Sequence, residues 1–188
     1  RLLFTGALYQ LNRSNQPVVA TAVDSVLANT QTNGGELGLT GNVTELWQVS
    51  VGWGHQGNFI QKINSSGVGT VSPNYGVGKD VPFVPKNTFS FWNKYDFSDL
   101  LNARAGVFSI GAGVIHNAKF FAALDNTVIV PGYTRVDGGL FFKVNERILG
   151  QVNIENLLGA NYYVSASNNN NIMPGSPRAA YLTLNAKF

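Results

Sequence analysis

The sequence has no cysteine, which excludes a disulfide framework and any thiolate-bound metal. It has only two histidines and few charges: 12% of residues are Asp, Glu, Lys or Arg, about half the ~25% usual in soluble domains. Long apolar runs are missing too. The longest, Ala105 to Ile115, is broken by Ser109 and three glycines, far from the ~18 consecutive apolar residues of a spanning helix. The net charge of +3 is not gathered into a basic run, so nucleic acid is excluded as a partner. Helical periodicity is absent at useful length. The opening residues, Arg1-Leu-Leu-Phe-Thr-Gly-Ala-Leu-Tyr9, already read as a strand, which leads us to expect a longer parent chain.

What is present is glycine (21 residues), aromatics (12%) and a mean hydropathy of +0.01, the average that half-apolar alternation produces. The last residues show it best. Counting back from Phe188, Ala186, Leu184, Leu182 and Ala180 alternate with Lys187, Asn185, Thr183 and Tyr181. Period two puts one apolar face on a strand. A strand closing on an aromatic carboxy-terminus suits a membrane β-barrel that faces lipid.

The pattern predicts eight strands, over 2–12, 31–41, 46–57, 87–96, 104–116, 133–144, 148–156 and 178–188. Between them, short connections at 42–45, 96–103 and 145–147 alternate with long ones at 13–30, 58–86, 117–132 and 157–177. Residues 20–29 read as a short helix or a hairpin arm. Short turns on one side and long loops on the other are the mark of an up-and-down outer-membrane barrel, with Phe188 at the periplasmic end. In strand 133–144, Arg135, Asp137 and Lys143 share a face with Tyr133 and Phe141, opposite Val136, Leu140, Phe142 and Val144. Keeping charges on the lumen face is expected, because a mid-bilayer Lys or Arg facing lipid costs ~2–4 kcal/mol. Trp47, Trp53, Tyr95 and Phe97 are candidates for the interfacial aromatic girdles.

Four ordered motifs carry a family likeness: Val84-Pro-Lys-Asn-Thr-Phe-Ser-Phe-Trp-Asn-Lys-Tyr95, Pro131-Gly-Tyr-Thr-Arg-Val-Asp137, Asn153-Ile-Glu-Asn-Leu-Leu-Gly-Ala-Asn-Tyr-Tyr163, and Asn171-Ile-Met-Pro-Gly-Ser-Pro-Arg178. In order and spacing they resemble the strands of TonB-dependent siderophore receptors. The stretch Thr32 to Gly41 stands where that family has an Arg-led motif, without the Arg. The resemblance implies an all-β, antiparallel 22-stranded barrel with an amino-terminal plug, of which residues 1–188 would be the carboxy-terminal eight strands. It also implies capture of a ferric siderophore, energy from the TonB complex through the plug, contact with outer-membrane lipid, and recognition of the Phe188 strand by the barrel assembly machinery. The siderophore supplies the iron ligands, so no cofactor, protein-held metal or enzymatic activity is expected.

Aromatic residues in long loops suit apolar or catecholate ligands. Tyr75, Phe83, Phe120 and Phe121 are therefore the candidate ligand-binding residues. His55 and His116 sit near strand ends and read as interfacial polar groups, since no Ser-His-acid arrangement surrounds them. Arg135 and Asp137 read as an ion pair within the barrel. Asp125 beside Asn126 reads as turn chemistry, and Tyr162 and Tyr163 as anchors of a strand-to-loop bend. Two other readings compete: a complete small eight-stranded outer-membrane barrel, structural or enzymatic, and a soluble lipocalin-like binder.

Overall fold

The computed structural model describes residues 1–20, 25–66, 76–102 and 107–187. Twelve strands appear among them: β1 (Leu2–Val19), β2 (Ser25–Asn42), β3 (Trp47–Ser66), β4 (Asn87–Asp96), β5 (Phe108–Asn117), β6 (Phe120–Phe121), β7 (Ile129–Val130), β8 (Tyr133–Lys143), β9 (Ile148–Glu155), β10 (Tyr163–Asn168), β11 (Asn171–Pro174) and β12 (Ala179–Ala186). Eight form one antiparallel sheet in the order β1-β2-β3-β4-β5-β8-β9-β12. These are the eight expected strands, paired as an up-and-down wall. The pairs β6–β7 and β10–β11 are small hairpins inside long connections, too short for the sequence pattern to show.

β1 and β12 are the edges of the sheet and do not pair with each other among the described residues. The wall is open, which removes the closed eight-stranded barrel from consideration. β4, β5 and β8 have 10, 10 and 11 residues, matching the ~9–11 that cross a bilayer at a tilt. β1, β2 and β3 have 18, 18 and 20, so they overshoot by roughly 25–30 Å at about 3.3 Å per residue. The expected loop 13–30 is therefore mostly strand, and the hairpin-arm reading of 20–29 replaces the helical one for the described residues 25–29. Its Ser14-Asn15 step marks a bulge instead of a turn: the register shifts between Arg13 and Gln16, with Asn15 at φ 54°.

Register carries the face pattern across the wall. One row runs Phe4, Leu39, Val51, Phe91, Val114 and Val136. Four residues nearer the short turns, another runs Trp47, Tyr95, Ile110, Leu140, Val152 and Leu182. The alternate rows form the lumen face, such as Thr5, Gly38, Gly52, Ser90, Ile115 and Arg135. Asn93 is a polar exception on the apolar face, and its Nδ2 donates to Ala112 O at 2.8 Å. Two glycines on the lumen face make room for one indole. A Cβ on Gly111 would lie 2.7 Å from the Trp92 ring, and one on Gly113 would overlap it.

The buried apolar clusters gather where the loops meet the overshooting parts of β1, β2 and β3. Val18, Val26, Ala28, Ile60, Ile63, Val81 and Leu124 form one cluster. Phe120, Ala122 and Val130 form a second, against which Phe83, Val128, Ala166 and Ile172 pack. On β2, buried Val26, Ala28 and Thr30 have the same parity as lumen-facing Gly38. The segments bearing Val81 and Leu124 therefore lie on the lumen side of the overshooting strands.

Candidate functional site

The sequence motifs meet at the lumen side of β8. Arg135 Nη2 is 2.8 Å from Asp137 Oδ2, Nη1 donates to the Tyr162 hydroxyl at 3.3 Å, and Glu155 lies 3.7 Å away. The ion pair expected between Arg135 and Asp137 is present. Tyr162 packs on Tyr133 with centroids 4.4 Å apart, and its ring covers Gly175, where any Cβ would overlap it. Asp137 Oδ1 accepts the Asn156 N–H at 2.8 Å. The second, third and fourth motifs thus form one polar and aromatic joint that ties β8, β9 and the approach to β12. Tyr162 is a buried anchor, while Tyr163 is 46% exposed. The terminal strand begins at Ala179, one residue after Arg178, and Phe188 lies outside the described residues.

On the apolar face the aromatic girdle residues hold their expected places. Tyr95 contacts Phe97 at 4.8 Å between centroids and pairs with Trp47. Trp53 pairs with Phe89 and stacks on His55 at 6.3 Å. His55 Nδ1 lies 2.7 Å from Asn87 Oδ1, and His116 Nδ1 lies 2.9 Å from Thr134 Oγ1. Each histidine has a neutral neighbour; His116 lies at the end of β5, whereas His55, expected near a strand end, lies well inside the longer β3.

The four candidate ligand residues separate. Tyr75 lies outside the described residues. Phe120 is 8% exposed and sits inside the second loop cluster. Phe83, with φ 66°, packs against that cluster, and its N–H donates to Phe121 O at 2.9 Å. Phe121 is half-buried. With Phe120, Val84, Ile129, Lys86 and Lys119 it lines a groove of about 350 Å³. Lys86 is paired with Asp80 at 2.8 Å.

Sequence reasoning missed the polar centre of these loops. Asn126 Oδ1 accepts from Asp80 N and its Nδ2 donates to Asp80 O, both at 3.0 Å. Lys79 Nζ donates to Asp125 O at 2.6 Å, and Asn169 Nδ2 donates to Asp125 Oδ2 at 2.8 Å. Burial pushes the Asp125 carboxyl pKa up. Hydrogen bonds from Asn169 and Thr127 and the charge of Lys79 outweigh it, so the group ends below its ordinary value. The Asp-Asn pair was a visible turn signal, but nothing local announced its partners in other loops.

A sequence model of the family described as TonB dependent receptor-like, beta-barrel, matches residues 1–157. The chain belongs to this family. TonB-dependent receptors are outer-membrane β-barrel proteins, a class whose strands present an apolar face outward and a polar face to the lumen. The probable TonB-dependent siderophore receptor PiuA of Acinetobacter baumannii is 28% identical over 191 residues, covering 100% of this chain and 25% of that protein. The crystal structure of PiuA superposes with a TM-score of 0.79 over 100% of this chain and 26% of that one. The catecholate siderophore receptor Fiu of Escherichia coli K12 is 28% identical, over 100% of this chain and 24% of its own length. Its closed-form crystal structure gives a TM-score of 0.72 at 27% identity, over 100% of this chain and 25% of that one. The chain thus spans about a quarter of the length of the relatives it matches. For a TonB-dependent receptor, the open wall is one arc of a larger barrel. The lipocalin-like reading is set aside, since its apolar faces would have to point inward.

Proposed function

We propose that this chain forms part of the wall and the extracellular loops of a receptor that carries a ferric siderophore across the outer membrane, driven by the TonB complex through an amino-terminal plug. The observation that carries the reading is the match of the whole chain, at 28% identity, to two receptors whose names state siderophores as ligands. The loop chemistry supports an anionic, aromatic ligand. Phe121, Lys86 and Lys119 line one groove, and a ferric catecholate presents rings and negative charge to match them. Phe83 and Phe120 support that surface from beneath. Tyr75 remains a proposed contact. The iron is cargo, held by the siderophore's own oxygens. In this reading lipid covers the apolar rows, and the barrel assembly machinery engages the terminal strand.

The test is uptake. The full-length receptor is expressed in a strain lacking its own siderophore receptors, and labelled iron is supplied as catecholate or hydroxamate complexes. Accumulation of the catecholate complex, abolished when TonB is deleted, is the expected result. Equal accumulation without TonB, or none with any siderophore, would sink the reading.

A further inference from the structure

Three connections that are distant in sequence share one polar hub. The Asn126 carboxamide pairs with both peptide groups of Asp80, at 3.0 Å each, and also donates to Ala123 O at 3.1 Å. A side-chain amide here does what a neighbouring strand does, giving the peptide one donor and one acceptor. The adjacent Asp125 holds Lys79 through its carbonyl and Asn169 through its carboxylate. Segments 76–86, 118–132 and 163–174 are thereby joined at two consecutive residues. Leu124 N also donates to Val19 O at 3.0 Å, which fastens the hub to the overshooting β1.

Apolar packing follows the same joints. Leu124 and Ile60, at 0% and 1% exposure, lie in one cluster with Val81. Ala166 and Ile172 of the β10–β11 hairpin pack on the cluster of Phe120 and Val130. Burying such side chains removes apolar surface from water, and several together hold a loop ordered. The part-buried hydrogen bonds of Asn126 and Asp125 add to this.

We propose that these three segments form a single preassembled cap over the lumen side of the β1–β3 wall, with Asn126 and Asp125 as its positioning residues. Loops that order one at a time on a ligand lose affinity to the entropy of ordering, whereas a preformed surface does not. On this proposal the β6–β7 hairpin that carries Phe121 is already held in place before any ligand arrives. The inference rests on the receptor reading only for what the cap faces. Its test needs no ligand, so its failure and a failure of uptake are separate results.

The experiment is native-state amide hydrogen exchange on the ligand-free, full-length receptor in lipid nanodiscs. Amides of Val81, Ala122 and Leu124 and those of the β10–β11 hairpin are expected to be protected. Asn126→Ala should speed exchange by about tenfold in all three segments, the effect of losing roughly one buried hydrogen-bonded contact, and leave β4, β5 and β8 unchanged. Asn169→Ala should speed exchange in 163–174 alone. If Asn126→Ala does not assemble, Asn126→Asp, which keeps the acceptor and loses the donor, should show the same three-segment pattern. An effect of either Asn126 variant confined to 118–132 would overturn the proposal. So would free exchange of any one of the three segments in the unaltered receptor.

Discussion

Asn156 and Ala160 exchange two hydrogen bonds. Ala160 N donates to Asn156 Oδ1 at 2.8 Å, and Asn156 Nδ2 donates to Ala160 O at 2.9 Å. The same Nδ2 donates to Ser176 O at 3.1 Å. One side chain, 1% exposed, therefore holds both ends of the connection between β9 and β12, while its backbone sits at φ 53°.

Asn156→Ala removes these bonds and places a Cβ-bearing residue without a local polar partner in the left-handed region. We expect a loss of roughly 4–5 kcal/mol, from about 1 kcal/mol for each of the three hydrogen bonds and ~1–2 for the backbone. Urea unfolding of the full-length receptor in lipid vesicles measures it. Asn156→Gly should recover only the backbone part. An alanine variant as stable as its parent would contradict this account.

Arg135 and Asp137 are 20% and 14% exposed in their side chains, so the pair is worth more than a fully solvated one. A double-mutant cycle with Arg135→Met and Asp137→Asn should give a coupling energy within about 0.5–3 kcal/mol. Arg135→Met should be the costlier single change, because Arg135 also donates to Tyr162 and lies near Glu155, whereas the amide of Asp137→Asn keeps an oxygen to receive Asn156 N. Simple additivity of the two changes would show that the pair contributes nothing.

Ala112 lies mid-strand in β5 on the lipid face, while Ser90 of β4 faces the lumen. Ala112→Arg should destabilise the folded receptor by ~2–4 kcal/mol and Ser90→Arg by much less, because only the first puts a charge into hydrocarbon. Refolding titrations into vesicles distinguish the two. Equal costs would mean that the faces have been assigned the wrong way round.

The Asp125 carboxyl ionises below its ordinary value. Burial raises its pKa, but the bonds from Asn169 and Thr127 and the charge of Lys79 lower it further than burial lifts it. A depressed carboxylate stabilises fully above its unfolded pKa, about 4, and that contribution fades as pH falls through the lower folded value. The other charged groups nearby are the paired Asp80 and Lys86. Protease sensitivity of the loops should rise as pH drops below about 4. Asp125→Asn should raise it at neutral pH and flatten the acid-dependent part. An unchanged acid profile in that variant would remove Asp125 from the explanation.

Some of this was legible without the fold. Strand β4 occupies Asn87–Asp96, the span that alternation alone assigns, because a strand's two faces meet different solvents and period two records it. The direction of the wall followed from loop lengths, and the motifs around Tyr133, Asn156 and Pro174 stood out one by one. The overshoot of β1 to β3 was hidden. Beyond the short strands the outward face turns polar, as in Gln10 bonded to Asn33 and Gln61 to Gln31, while the inner face carries buried Val26, Ala28 and Ile60, so the contrast between faces reverses.

The amino-acid sequence by itself determined the eight strands of the wall and which residues of each share a face, since alternation along a strand comes from neighbours two residues apart. The tertiary structure alone decided that the wall is open at β1 and β12, that Phe83 and Phe120 serve the loop core, and that three motifs close into one joint at Arg135. It also decided the partners of Asn126 and Asp125, which lie 46 and 44 residues away at Asp80 and Asn169. Contacts at such separations leave no periodicity in the chain. They exist only once the strands have set the ends of each loop side by side.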